Sequence, residues 1–142
     1  LATAICASLL AQLIKVLLNL FIFHRFIAER MWGAGGMPSS HSATVCAMVV
    51  ATGRYCGVNS PIFAIAAVLS IIVMYDAMGV RYETGEQAKV LNRMFTEWMD
   101  QGFEQFQLPH GKKLKEMVGH TPIEVVTGAV LGIVLGFAMP MM

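Results

Sequence analysis

An all-α fold, an integral membrane helical bundle of about four spans plus an interfacial amphipathic helix, follows from three features of this sequence. Of its 142 residues, 56% are hydrophobic and 13% charged, with a mean hydropathy of +0.63. A soluble domain carries about 25% charged residues. Four apolar segments recur along the chain, and a bilayer crossing takes about 20 such residues. Between the third and fourth lies a polar section, residues 80–121, containing a helical apolar stripe. The length fits a single membrane domain over residues 1–142.

The spans are expected near 1–23, 38–56, 61–79 and 122–142. The first has no positive leader region and no clear cleavage site, so it reads as a span and not a signal peptide. The second is rich in Ala, Val and Met and just long enough if Pro38 begins its first turn, a position that proline suits. Asn59-Ser60-Pro61 is a turn signal that makes a short hairpin before the third span. In the fourth, Gly128, Gly132 and Gly136 form a ridge of small residues that lets helices approach closely. Within the polar section, Glu86 to Phe106 puts Val90, Leu91, Met94, Phe95, Trp98 and Met99 on one helical stripe. The stripe fits a helix lying on the membrane with Trp98 at the headgroups, and equally a solvated helix packed on the core. Residues 83–87 and Asn92 form a polar run that reads as a solvated turn.

A net charge of +1 without any basic block excludes a nucleic-acid footprint. Cys6, Cys46 and Cys56 have no paired spacing, so they read as reduced, buried thiols. No metal-ligand spacing is present, and neither a metal nor a cofactor is expected.

Basic residues divide unevenly between the two faces. Arg25, Arg30, Arg81, Lys89, Arg93, Lys112, Lys113 and Lys115 flank one face, and Arg54 alone the other. Eight against one puts the loops at 24–37 and 80–121 in the cytoplasm. The starts of the second and fourth spans and the end of the third then share that face. Lys15 lies about 12 Å deeper, eight residues before Phe23 at a rise of about 1.5 Å each. A lysine at that depth needs a snorkelling path or a polar cavity with an anionic partner.

Several polar groups therefore converge. In Gly35-Gly36-Met37-Pro38-Ser39-Ser40-His41, the serines can cap a helix whose N-terminus is suited to phosphate, and His41 can exchange a proton near neutral pH. A capped loop with an exposed histidine fits the same stretch. His120 and Glu124, four residues apart, share a helix face, so the carboxylate can orient the imidazole as a nucleophile or base requires. A purely structural pairing at a helix start fits them too. Gly119 lets backbone approach a ligand. Lys15, Arg81 and Lys115 can neutralise phosphate oxygens, and the Ser39 and Ser40 hydroxyls add donors. Asp76 can orient Arg81 or Lys15; an acid at a helix C-terminus otherwise opposes the helix dipole.

Three motifs in this order, Pro38-Ser39-Ser40-His41, Tyr75 to Arg81 and Gly119-His120-Thr121-Pro122-x-Glu124, resemble the divergent branch of the type 2 phosphatidic acid phosphatase family. That branch is related to acid phosphatases and vanadium haloperoxidases, and the resemblance runs from about Gln12 to Gly136. It implies a helical membrane protein, typically bacterial or plastid. In the wider family a Pro-Ser-Gly-His motif supplies the acid, which corresponds to His41, with Ser40 in place of glycine. Its nucleophile lies in Ser-Arg-x5-His-x3-Asp, whose end matches His120 and Glu124. The arginine of that motif falls on Leu114, with Lys115 the nearest cation. The Lys-x6-Arg-Pro motif is absent, with Lys15 a candidate substitute for its lysine and Arg81 for a missing phosphate contact. The chain is also shorter than the six-span members, which suggests completion of the bundle in a homodimer.

These readings combine into an expected function. A membrane phosphatase would hydrolyse a lipid phosphate or diphosphate, with His120 attacking, Glu124 orienting it and His41 protonating the leaving group. Lys15, Ser39, Ser40, Arg81 and Lys115 would hold the phosphoryl group, with Asp76 and Gly119 supporting. The expected location is the bacterial cytoplasmic membrane, with the site on the cytoplasmic face. The alternatives are a lipid-phosphate binder or transporter without turnover, and a structural membrane subunit.

Overall fold

A computed structural model describes residues 1–23, 36–101, 113–116 and 118–140. The described residues form five helices: α1 (Ala2–Phe23), α2 (Ser40–Cys56), α3 (Pro61–Met78), α4 (Val80–Asp100) and α5 (Pro122–Ala138). Most of the loop expected at 24–37, the part of the polar section at 102–112 and residues 141–142 lie outside the described residues, and so do Gly35, Arg25, Arg30 and Lys112. The four apolar helices, α1, α2, α3 and α5, cover residues 2–23, 40–56, 61–78 and 122–138. At 17 residues, α2 and α5 reach about 26 Å, the short end of what crosses a bilayer.

Packing is inverted relative to a soluble bundle. The interior is built from Ala7, Ala11, Ala43 and Ala47, all with no solvent exposure, against Leu131 and Leu135. Large aliphatic side chains point outward instead: Leu9 and Leu13 on α1, Ile65 and Ile71 on α3, Val130 and Val134 on α5. Water would not tolerate so much contiguous apolar surface on a monomer, whereas lipid tails receive it at no cost. The fold is thus a membrane helical bundle.

Small residues let α2 occupy the centre, in contact with α1, α3 and α5. The glycine ridge of α5 is the closest of these seams. A methyl group at Gly128 would come within 2.3 Å of the Ser39 carbonyl oxygen, and one at Gly132 within 2.3 Å of that of Ala43. The two backbones therefore touch, as the spacing of the ridge predicts.

Helix ends are closed by the residues the sequence puts there. Ser39, not Pro38, is the N-cap of α2: its Oγ accepts the Ser42 N–H, and Pro38 stands just outside the helix. Gly57 ends α2 with φ +81°, a conformation glycine adopts without a Cβ penalty. Ser60 caps α3, accepting the Phe63 N–H at 3.2 Å, with Pro61 in the first turn. At that same end of the bundle Arg54 Nη1 donates to the Gly136, Phe137 and Met139 carbonyls at 2.7, 3.1 and 2.8 Å. Arg54, the one basic residue expected on that face, is therefore a cap for the α5 C-terminus, where the dipole favours a cation.

The polar section departs from expectation. α4 begins at Val80, six residues before the expected Glu86, directly after α3 and separated from it by Gly79 alone. The 83–87 run is helix and not a solvated turn, because Gly85 and Asn92 are buried on the face that meets the chain at 113–118. Among the helices α4 contacts only α3.

Candidate functional site

His41 stands in the first turn of α2, and Asp76 and Arg81 flank the break between α3 and α4. His120 comes from the extended stretch just before α5. Together with Val73 and Ala77 these four residues line one small pocket. The imidazoles of His41 and His120 meet edge to face, ring centroids 5.9 Å apart at 83°. The expected convergence of two histidines with an arginine and an acid is thus present in the structure.

The chain delivers His120 by an unusual route. Asn92 is buried in α4, and its Nδ2 donates to the Leu114 carbonyl at 2.9 Å and to Glu116 Oε1 at 2.8 Å. Its Oδ1 accepts the Leu114 N–H at 2.8 Å. Further on, Gly119 crosses the first turn of α4 so closely that a Cβ there would lie 2.2 Å from the Tyr82 nitrogen. The role of this glycine is backbone packing. Then the His120 N–H donates to the Ala77 carbonyl at 3.0 Å, which pins the residue to the end of α3.

His120 is 2% exposed, and neither of its ring nitrogens has a hydrogen-bond partner among the described residues. A buried polar group left unpaired is uncommon and costly, and such groups cluster where a ligand or a reaction is to be met. Burial, then the positive charges of Lys15, His41 and Arg81, push its pKa from the usual 6.5 down to about 4. The ring is therefore neutral at pH 7, with a lone pair available.

Glu124 does not take the expected part. Its Oε2 accepts the Thr121 N–H at 3.0 Å, the side-chain half of a capping box, while its own carbonyl accepts the Ser39 N–H at 2.9 Å. It thereby ties the start of α5 to the start of α2 and forms no hydrogen bond with His120. The i, i+4 spacing allowed both arrangements, and the helix N-terminus offers the carboxylate a nearer donor.

The other expected phosphate ligands are spread more widely. Arg81 Nε donates to Asp76 Oδ2 at 2.5 Å, a half-exposed pair at the pocket wall. Lys15 is 3% exposed, its stem packed beside Gly36, and its charge is felt by His120 although it does not line the pocket. Ser39 is fully buried and its hydroxyl accepts from the Ser42 N–H and Oγ, so it serves the cap. Ser40 is buried in the first turn of α2, outside the pocket lining. Lys115 is exposed and also outside that lining.

Asn92 and the Ala77 carbonyl are the positioning groups that sequence reasoning missed. A signal for the first existed: Gly85, Ala88 and Asn92, at helical spacing, form a small-residue face beside the apolar stripe.

Comparison with known proteins bears on the family of the chain. A family model described as the divergent PAP2 family matches residues 1–135. A relative from Bacillus subtilis (strain 168), titled uncharacterized membrane protein YuiD, is 38% identical over 141 residues, covering 95% of this chain and 89% of the relative. No solved structure matches.

Proposed function

The chain belongs to the divergent PAP2 family, and from that premise we propose that it is a membrane phosphatase acting on a lipid phosphate or diphosphate. The observation that carries this reading is the His41–His120 pair, 5.9 Å apart in a pocket with Arg81, with both His120 nitrogens unengaged among the described residues. A neutral, buried imidazole is a competent nucleophile toward phosphorus, and a second imidazole beside it is placed to handle the leaving oxygen.

The reaction then runs in two steps. A ring nitrogen of His120 attacks phosphorus as the bond to the leaving oxygen breaks, and protonated His41 gives that oxygen its proton. Water, deprotonated by the now neutral His41, attacks the phosphohistidine; inorganic phosphate departs and His120 is regenerated. Arg81, through the guanidinium edge not held by Asp76, and Lys15 from below offset charge on the phosphoryl oxygens. Basic residues weigh toward the cytoplasmic face of a bacterial membrane for this site.

A lipid-phosphate binder without turnover is the second reading. Glu124 favours it, because the carboxylate expected to orient the nucleophile is engaged in the α5 cap. Phosphate release by the purified protein from a panel of lipid mono- and diphosphates tests the choice. Turnover of any of them establishes the phosphatase; tight vanadate binding with no release across the panel establishes the binder.

A further inference from the structure

Of the three faces of α4, the described residues bury one. Gly85, Ala88 and Asn92 are buried, Gly85 against the Glu116 and Val118 backbone and Asn92 against Leu114 and Glu116. A second face carries the ion pairs Lys89–Glu86 and Arg93–Glu97. The third presents Val80, Val90, Leu91 and Met94, all exposed. By helical geometry this apolar stripe lies between the other two faces, and among the described residues no other helix covers it.

The occupant of the stripe follows from continuity. Ile72 and Tyr75 belong to the exposed apolar face of α3, which the bundle presents to lipid tails. Tyr75 lies over Gly79, where a Cβ would be 3.9 Å from its ring, and Val80 follows at once. The lipid-facing surface thus passes from Tyr75 on α3 to Val80 on α4, and resumes at Val90, Leu91 and Met94 beyond the exposed Glu83, Thr84 and Gln87. Seven charged residues stop α4 from crossing the bilayer, so its place is the headgroup–acyl boundary.

Seating α4 there has a consequence for the site. The Asn92 amide makes three hydrogen bonds to the 114–116 stretch, Gly85 lies under the Glu116 carbonyl, and Gly119 lies under Tyr82. The segment ending in His120 is therefore fastened to α4 at three points and must move with it.

We propose that α4 seats its Val90, Leu91 and Met94 stripe in the interfacial layer of the bilayer and, through the Asn92 clasp, sets the position of His120, so that membrane contact governs the site. The consequence for activity rests on the phosphatase reading; the bilayer contact and the clasp do not.

Two measurements that need no turnover test it. The full chain carrying Trp32→Phe leaves Trp98 as its one tryptophan. In phosphatidylcholine vesicles, bromine placed on the acyl chains near the headgroup should quench Trp98 at least about twofold more than bromine near the chain end. Equal quenching at both depths, stronger deep quenching, or none, as when a second copy of the chain covers the stripe, overturns the seating. Hydrogen exchange at the Leu114 amide reports the clasp. It should accelerate about tenfold in Asn92→Ala, and by a similar factor in vesicle-bound Leu91→Glu/Met94→Glu. Leu114 exchange unchanged in the doubly charged variant overturns the coupling.

Discussion

The His120 backbone N–H donates to the Ala77 carbonyl at 3.0 Å, the next residue after Asp76. This one bond brings the residue preceding α5 to the end of α3, where Arg81 turns back over the same point. His41 reaches it from the first turn of α2, so three segments far apart in sequence meet within one small pocket. Gly119 against the Tyr82 backbone and Gly128 against that of Ser39 have no side chain to keep these segments apart.

The histidines are predicted to have separable roles. His120→Ala should abolish turnover of lipid phosphates while leaving vanadate binding partly intact, because Arg81 and Lys15 remain. His41→Ala should slow a poor leaving group by about 10²–10⁴ and p-nitrophenyl phosphate far less, since a good leaving group needs little protonation. Steady-state rates on the two substrates check the ratio, and undiminished turnover in His120→Ala would refute the nucleophile assignment.

Acid should weaken the fold through His120. Its pKa lies near 4 in the folded chain against 6.5 for an ordinary histidine, burial being the first cause. Between those values the unfolded chain binds a proton that the folded chain refuses. Stability is therefore full above about pH 6.5 and lost as pH falls toward 4. Melting temperatures in detergent from pH 7 to 4 should drop less in His120→Gln than in wild type. Parallel curves for the two would remove His120 from the account.

Arg81→Lys should raise the dissociation constant for phosphate or vanadate roughly tenfold. Lysine has a point charge where the guanidinium has a fork, and with Nε held by Asp76 the outer nitrogens form the presenting edge. Asp76→Asn keeps the shape of that partner but not its charge, so the guanidinium should reorient and affinity fall by a smaller factor. Calorimetric titration of both variants gives the order, and equal affinity across wild type and Arg81→Lys contradicts a direct contact.

Much of this was readable from the residues, and the exceptions share a cause. The four apolar helices are legible because hydropathy and length are one-dimensional signals, and even α2, the least apolar of them, is marked by its Pro-Ser-Ser-His start. The glycine ridge of α5 was visible because its period matches the helix. Glu124 is ambiguous in the sequence because the i, i+4 spacing to His120 and the i, i+3 spacing to Thr121 coexist, and only the backbone path decides which donor is nearer. The Ser39 hydroxyl, suited by its position to phosphate, is fully buried and caps α2. The start of α4 lies six residues before the expected Glu86, because Glu83 to Gln87 reads as polar turn until the backbone at Glu116 and Val118 shows why Gly85 must be small. Long-range partnership, here between α4 and residues 113–120, leaves little trace in local pattern.

That partnership gives Gly119 a sharp prediction. Any side chain at 119 meets the Tyr82 backbone at 2.2 Å, and backbone cannot step aside as a flexible side chain can. Gly119→Ala should cost roughly 1–3 kcal/mol by overpacking, seen as a lower melting temperature, and should displace His120 from Ala77. Hydrogen exchange at the His120 amide should accelerate accordingly, whereas Gly57→Ala, at a turn with open space around it, should strain only its own backbone and leave that amide protected. A Gly119→Ala protein with wild-type stability and an unaltered His120 amide would mean that the segment does not cross α4 at this distance.

The last prediction concerns Glu124, and it separates cap from catalyst. As the acceptor of the Thr121 N–H, the carboxylate satisfies one of the free donors at the α5 N-terminus and sits favourably at the positive end of the dipole. Glu124→Gln retains an acceptor oxygen and loses the charge, so it should cost at most about 1 kcal/mol and leave the rate per folded molecule nearly unchanged. Glu124→Ala loses both and should destabilise by about 0.5–2 kcal/mol. If the carboxylate oriented His120 instead, the amide could not stabilise a developing imidazolium, and Glu124→Gln would lower kcat by orders of magnitude with stability hardly altered. Thermal melting and single-turnover rates on the same two variants therefore move in opposite senses under the two roles. The Thr121 hydrogen bond predicts that melting will respond and turnover will not.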